Sequence, residues 1–109
     1  SSVHVYDPAT DSWAAVADLP RPLGHISHDA FARDDRIVLV GGLTLERQAV
    51  DDVIEFDPQT NTWAELSPLP APAYSSQAQM VDGRVVVIAA LDGAMQTWID
   101  SANCAALAP

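Results

Sequence analysis

One eight-residue phrase occurs twice in this chain. Tyr6-Asp7-Pro8-Ala9-Thr10-Asp11-Ser12-Trp13 returns as Phe56-Asp57-Pro58-Gln59-Thr60-Asn61-Thr62-Trp63, so that the two Trp are 50 residues apart. The echo runs on, with Trp13-Ala14-Ala15-Val16-Ala17-Asp18-Leu19-Pro20 matching Trp63-Ala64-Glu65-Leu66-Ser67-Pro68-Leu69-Pro70. Between the copies, Asp35-Arg36-Ile37-Val38-Leu39-Val40-Gly41-Gly42 has its own partner, Gly83-Arg84-Val85-Val86-Val87-Ile88-Ala89-Ala90, at an offset of 48. A period near 50 in a chain of 109 residues implies stacked units, each burying its apolar face against the next.

Each unit reads as short strands. Residues 3–6 and 53–56 are β-rich runs that end in Asp-Pro, where the chain must turn. In the Asp-Pro-x-Thr-x-x-Trp stretch, Asp can accept from its own backbone and Pro presets φ. Trp13 and Trp63 open the next strand, and Leu-Pro closes it. Residues 37–40 and 85–88 are continuous apolar runs, as expected of strands covered on both faces. No stretch carries a helical period with caps. The expectation is an all-β, antiparallel protein with about four strands per unit.

Charge narrows the partners. The chain has 15 acidic and 5 basic residues, a formal net charge of -10, and every base is Arg. Such a surface repels phosphate backbones, which argues against nucleic acid and anionic membranes. The twelve Asp sit mostly beside Pro, Gly, Ser, Thr or another Asp, so turn chemistry explains them better than a high-salt surface. Apolar runs fall far short of the roughly 20 residues that span a bilayer, so no membrane span is expected. Cys104 is the single cysteine, which excludes an internal disulfide.

The Gly-Gly pair after a buried strand, then an aromatic before Asp-Pro, then Trp six residues after the Asp, resembles the kelch repeat family. The residues that carry the likeness are Gly41, Gly42, Phe56, Asp57, Pro58 and Trp63, with Tyr6, Asp7, Pro8 and Trp13 from the preceding unit. The resemblance implies four-stranded blades of a β-propeller. On that pattern residues 1–20 are the second half of one blade, 21–70 a complete blade and 71–109 a degenerate one. The expected strands are 3–7 and 13–17; then 25–33, 36–40, 53–57 and 63–67; then 75–81, 84–90 and 96–100, with 104–109 as a weak outer strand. In the last unit Ala89-Ala90 replaces Gly-Gly. About two and a half blades leave a ring incomplete, so the expectation is a part of a longer polypeptide, or copies that assemble to close the ring.

Candidate functional residues follow from this map. His25 and His28 are three apart, so on a strand they point to opposite faces and cannot share a metal. His28 is expected as a partly buried side chain bonding backbone at the inner edge. His25, Arg21, Arg47 and Tyr74 fall on the connections that the resemblance places on one rim, where the family often binds partners. An Arg there can grip a carboxylate bidentately; the competing reading pairs it with Glu46, Asp51 or Asp52. Asp34-Asp35 and Asp51-Asp52 are expected as solvated turns, since neighbouring positions diverge. Trp13 and Trp63, recurring at the repeat period, are expected to pack between units. Gly41-Gly42 lacks the spacing and the Lys of a phosphate loop.

No catalytic constellation, metal set or cofactor site is visible, so the leading expectation is a non-catalytic binding scaffold for a protein or glycan partner. The alternative implied by the resemblance is a segment of a sugar-acting propeller enzyme, of sialic-acid mutarotase or copper sugar-oxidase type, with its catalytic residues mostly elsewhere. The copper type needs Tyr, Cys and His together, and they cannot be assembled here.

Overall fold

A computed structural model of the chain describes residues 2–91, 94–100 and 107–108. The described residues form ten strands and no helix, and every pairing is antiparallel between neighbours in the chain. β1 (Val3–Asp7) and β2 (Ser12–Val16) make a hairpin. β3 (Ala30–Arg33), β4 (Arg36–Val40), β5 (Val53–Asp57) and β6 (Thr62–Glu65) make a four-stranded sheet in that order. β7 (Gln77–Val81), β8 (Arg84–Leu91), β9 (Ala94–Asp100) and β10 (Leu107–Ala108) make another. β10 pairs Leu107 with Asp100 and Ala108 with Ile99, so the weak outer strand expected at the tail is present.

The repeated phrase builds the same turn twice. Asp7 Oδ1 accepts from the Ala9 amide, and Asp57 Oδ1 from the Gln59 amide, both at 2.9 Å. Asp11 (φ 50°) and Asn61 (φ 54°) then take the left-handed conformation that short polar side chains tolerate. Hydroxyls of Thr10 and Ser12, and of Thr60 and Thr62, close each turn at 2.6 Å. The resulting register sets Tyr6 across from Trp13 and Phe56 across from Trp63. Both aromatic pairs lie at 5.1 Å between ring centroids.

The core lies between the two large sheets. Phe31, Val38, Val40 and Val53 come from one; Ala78, Val85, Val87, Ala89 and Trp98 come from the other; Leu69 and Ala73 from the connection seal it. The innermost strands β3 and β7 touch directly. They are shorter than expected, starting at Ala30 and Gln77 rather than at 25 and 75. The cause is local: His25 (φ 56°) and Ser75 (φ 52°) are left-handed, and the Asp29 amide turns back to the Ile26 carbonyl at 3.1 Å.

Gly41 (φ 64°) ends β4, and a Cβ there would meet the Ala73 carbonyl oxygen at 2.3 Å, so no other residue fits. Ala89-Ala90 imposes no such break. β8 therefore runs on to Leu91, which pairs with Ala94, and β9 starts two residues earlier than expected.

The Trp expectation needs correction at one of its two positions. Trp63 is half-buried and donates Nε1–H to the Ala17 carbonyl of the preceding hairpin at 3.0 Å. Trp13 is 69% exposed and packs on Tyr6. Trp98, which carries no repeat signal, is 2% exposed and fills the core.

Candidate functional site: one loop rim

Three connections meet at one end of the large sheets: residues 20–29, 41–52 and 69–76. Backbone bonds knit them together. Gly24 and Leu43 exchange N–H···O bonds at 2.9 and 3.0 Å; the Gly42 amide reaches the Ala73 carbonyl at 2.8 Å; the Ala73 amide reaches Val50 at 3.0 Å. The Ser75 amide donates to the His25 carbonyl at 2.9 Å. These bonds satisfy backbone groups that a loose loop would leave to water, and they hold the rim as a layer.

His25 and Tyr74 come together on this layer. Their ring centroids are 5.8 Å apart at 87°, an edge-to-face contact. Both side chains are exposed. Arg47 (φ 62°) sits at the tip of the 43–50 loop, where its amide bonds the Thr44 carbonyl at 3.0 Å and the Gln48 amide bonds Thr44 Oγ1 at 3.1 Å. A cavity of about 340 Å³ opens between His25 and Arg47, floored by Leu23 and Leu43 and edged by Thr44 and Leu45. Leu45 is 78% exposed. Among the described residues Arg47 has no ion-pair partner.

Arg21 behaves differently. Its Nε donates to Asp52 Oδ2 at 2.8 Å and its Nη2 bonds Asp52 Oδ1, a bidentate grip. Hydrogen bonding to Asp52 raises the guanidinium pKa further. Of the two readings open for Arg21, the structure shows the internal pair. Asp52 is thereby not the solvated turn residue expected, and the carbonyls of Asp51 and Asp52 accept from Leu69 and Gly41. Asp34 and Asp35 do form the exposed β3–β4 turn, both left-handed.

At the far end of the same sheet, Glu55 accepts from Arg33 at 3.2 Å and from Arg36 at 3.0 Å, and Arg36 also reaches Asp57 at 3.5 Å. Glu55 is 8% exposed, so two cations answer one buried carboxylate.

His28 also differs from expectation. Its backbone carbonyl accepts from the Ala78 amide at 2.9 Å, but its side chain is exposed. Strand alternation turns it outward with Ala30, opposite Gln77 and Gln79, around a cavity of about 220 Å³. The alternate face carries Asp29, a buried acid that the sequence reading did not single out. The one signal for it was its place two residues before Phe31, on the apolar face. Thr44 and Leu45 were also missed, because loop closure alone brings them to His25.

Among the described residues no three His, Cys, Asp or Glu are grouped to hold a metal ion, and no helix is long and apolar enough to cross a membrane. Cys104 lies outside the described residues.

The comparisons agree with this geometry. Residues 27–70, which hold the whole β3–β6 sheet and its Gly-Gly, Asp-Pro and Trp signature, match the Kelch motif. That segment of the chain is thus similar to a kelch repeat. A 55-residue stretch is 38% identical to kelch-like protein 15 of Danio rerio. That stretch is 50% of this chain but only 9% of the length of that relative.

Proposed function

We propose that the chain serves a kelch binding scaffold, without chemistry of its own, and that the rim around His25, Arg47 and Tyr74 takes a carboxylate-bearing segment of a protein partner. The observation that carries this reading is Arg47. It is a cation at a loop tip with no ion-pair partner among the described residues, beside a cavity floored by Leu23 and Leu43, in a chain of net charge -10. The other rim cation, Arg21, is already neutralised by Asp52. The kelch motif and the likeness to a kelch-like protein support a protein-binding role.

The site also limits the partner. The acidic surface repels a strongly acidic segment at long range. The rim therefore suits a short segment with a single carboxylate for Arg47, apolar neighbours for Leu43 and Leu45, and bases elsewhere. Tyr74 and His25 offer flat, exposed edges against which such a segment can pack.

The test is fluorescence anisotropy with a labelled peptide of Leu and Lys around one central Glu, alongside its Gln counterpart. The Glu peptide should bind more tightly. Arg47→Ala should abolish the difference with a loss of about tenfold or more, as expected for a charge-assisted hydrogen bond of about 1.5–3 kcal/mol. Equal binding of the two peptides, or a difference that survives Arg47→Ala, overturns the assignment. So does a neutral oligosaccharide that binds regardless of Arg47.

A further inference from the structure

Asp29 has no exposed surface, and neither of its carboxyl oxygens has a hydrogen bond of good geometry, the Ser76 backbone amide making only a weak approach. Ser76, 2% exposed, has an Oγ in the same condition. Buried polar atoms are nearly always paired, and a buried charge without a partner is costly. Two such groups at one junction call for an account.

The junction is where the large sheets meet. Asp29 directly precedes β3 and Ser76 directly precedes β7, the two innermost strands, which touch. Two backbone bonds straddle the position: Ser75 N–H to the His25 carbonyl and Ala78 N–H to the His28 carbonyl, both at 2.9 Å. His28 and Gln77 turn outward, while Asp29 and Ser76 turn into the seam with Phe31 and Ala78.

We propose that Asp29 is a proton-operated latch in this seam: neutral, it lets the two sheets close; ionised, it puts a poorly compensated charge between them and loosens the rim above.

The surroundings of Asp29 suit this role. Burial pushes its carboxyl up from 3.8 to about 6, against the smaller opposing pull of the Ser76 backbone amide and of His28. The other titratable groups near the seam are His25 on the same segment and Tyr74 on the 73–80 segment opposite; residues 38–42 of β4 and its exit carry none. Because the folded pKa is the higher one, the proton favours the folded chain. The stability it confers is complete below about pH 4 and is lost as pH rises through about 6. The inference is independent of what the rim binds.

The first experiment is an NMR titration of the full chain between pH 3 and 8, following the Asp29 carboxyl carbon and the amides of Ser75, Ser76 and Ala78. The carboxyl should titrate near 6, and the three amides should shift with the same midpoint. A carboxyl midpoint below about 4.5, or amides that ignore it, overturns the latch. The second experiment compares urea midpoints of wild type and Asp29→Asn across the same range. The wild-type decline between about pH 4 and 6 should be flattened in the variant. Parallel curves would assign the decline to groups other than Asp29 and overturn the proposal. If the variant does not fold, the wild-type titration decides alone.

Discussion

The β1–β2 and β5–β6 hairpins carry nearly the same turn phrase and have nearly the same backbone, yet their aromatic residues meet different surroundings. In both, Asp bonds its own backbone, a left-handed residue precedes the second strand, and an aromatic pair sits at 5.1 Å. Trp63 then reaches the Ala17 carbonyl of the preceding hairpin, and Asn61 Oδ1 accepts from the Ala17 amide at 2.8 Å. Trp13 has no such contact, and Asp11 instead accepts from the Tyr6 hydroxyl at 2.7 Å. That bond also raises the phenol pKa. Turn geometry is thus a property of the local phrase, while burial is a property of what lies against it.

The same contrast holds between Gly41 and Gly83, and it gives the largest expected effect. Both have positive φ, but a Cβ at Gly41 strikes the Ala73 carbonyl whereas one at Gly83 meets nothing within 4 Å. Gly41→Ala should cost about 3 kcal/mol or more, and Gly83→Ala about 1 kcal/mol, by urea denaturation followed by circular dichroism. Equal losses would mean that φ alone governs both sites.

Trp63→Ala should cost about 2–3 kcal/mol, less than a fully buried Trp because the ring is half-buried, and Trp13→Ala less than about 1 kcal/mol. Matching values in the same assay would break the distinction between the hairpins. The smallest effect isolates one hydrogen bond. Glycine keeps the left-handed turn in both copies, so Asn61→Gly should cost about 1 kcal/mol for the bond to Ala17, and Asp11→Gly only a few tenths. A cost at Asp11 as large as at Asn61 would show the exposed Tyr6–Asp11 bond to be worth as much as the bond to Ala17.

Much of the fold could be read in advance because its signals are local. Asp-Pro, Gly-Gly and the apolar runs each act within a few residues, and they marked the strands closely. The strand starts that were misplaced, at 25 and 75, lie where left-handed residues and a tight turn delay pairing, which residue type alone does not mark. At the rim, the grouping of His25, Arg47 and Tyr74 on one set of connections was visible from the family pattern. The fate of Arg21 was not, since its choice between solvent and Asp52, 31 residues away, depends on loop closure. Asp29 shows the same limit. Its burial comes from β7, a strand that its own neighbours in sequence do not specify.

By itself, then, the sequence determined the repeat, the antiparallel strands and the turns, because those arise from φ preferences, side chain to backbone bonds and apolar periodicity over short spans. Only the tertiary structure decided which of two equivalent Trp is covered, which rim Arg stays unpaired and which Asp is sealed in the seam. Burial and charge pairing depend on surfaces brought together from distant parts of the chain, and no local phrase encodes them.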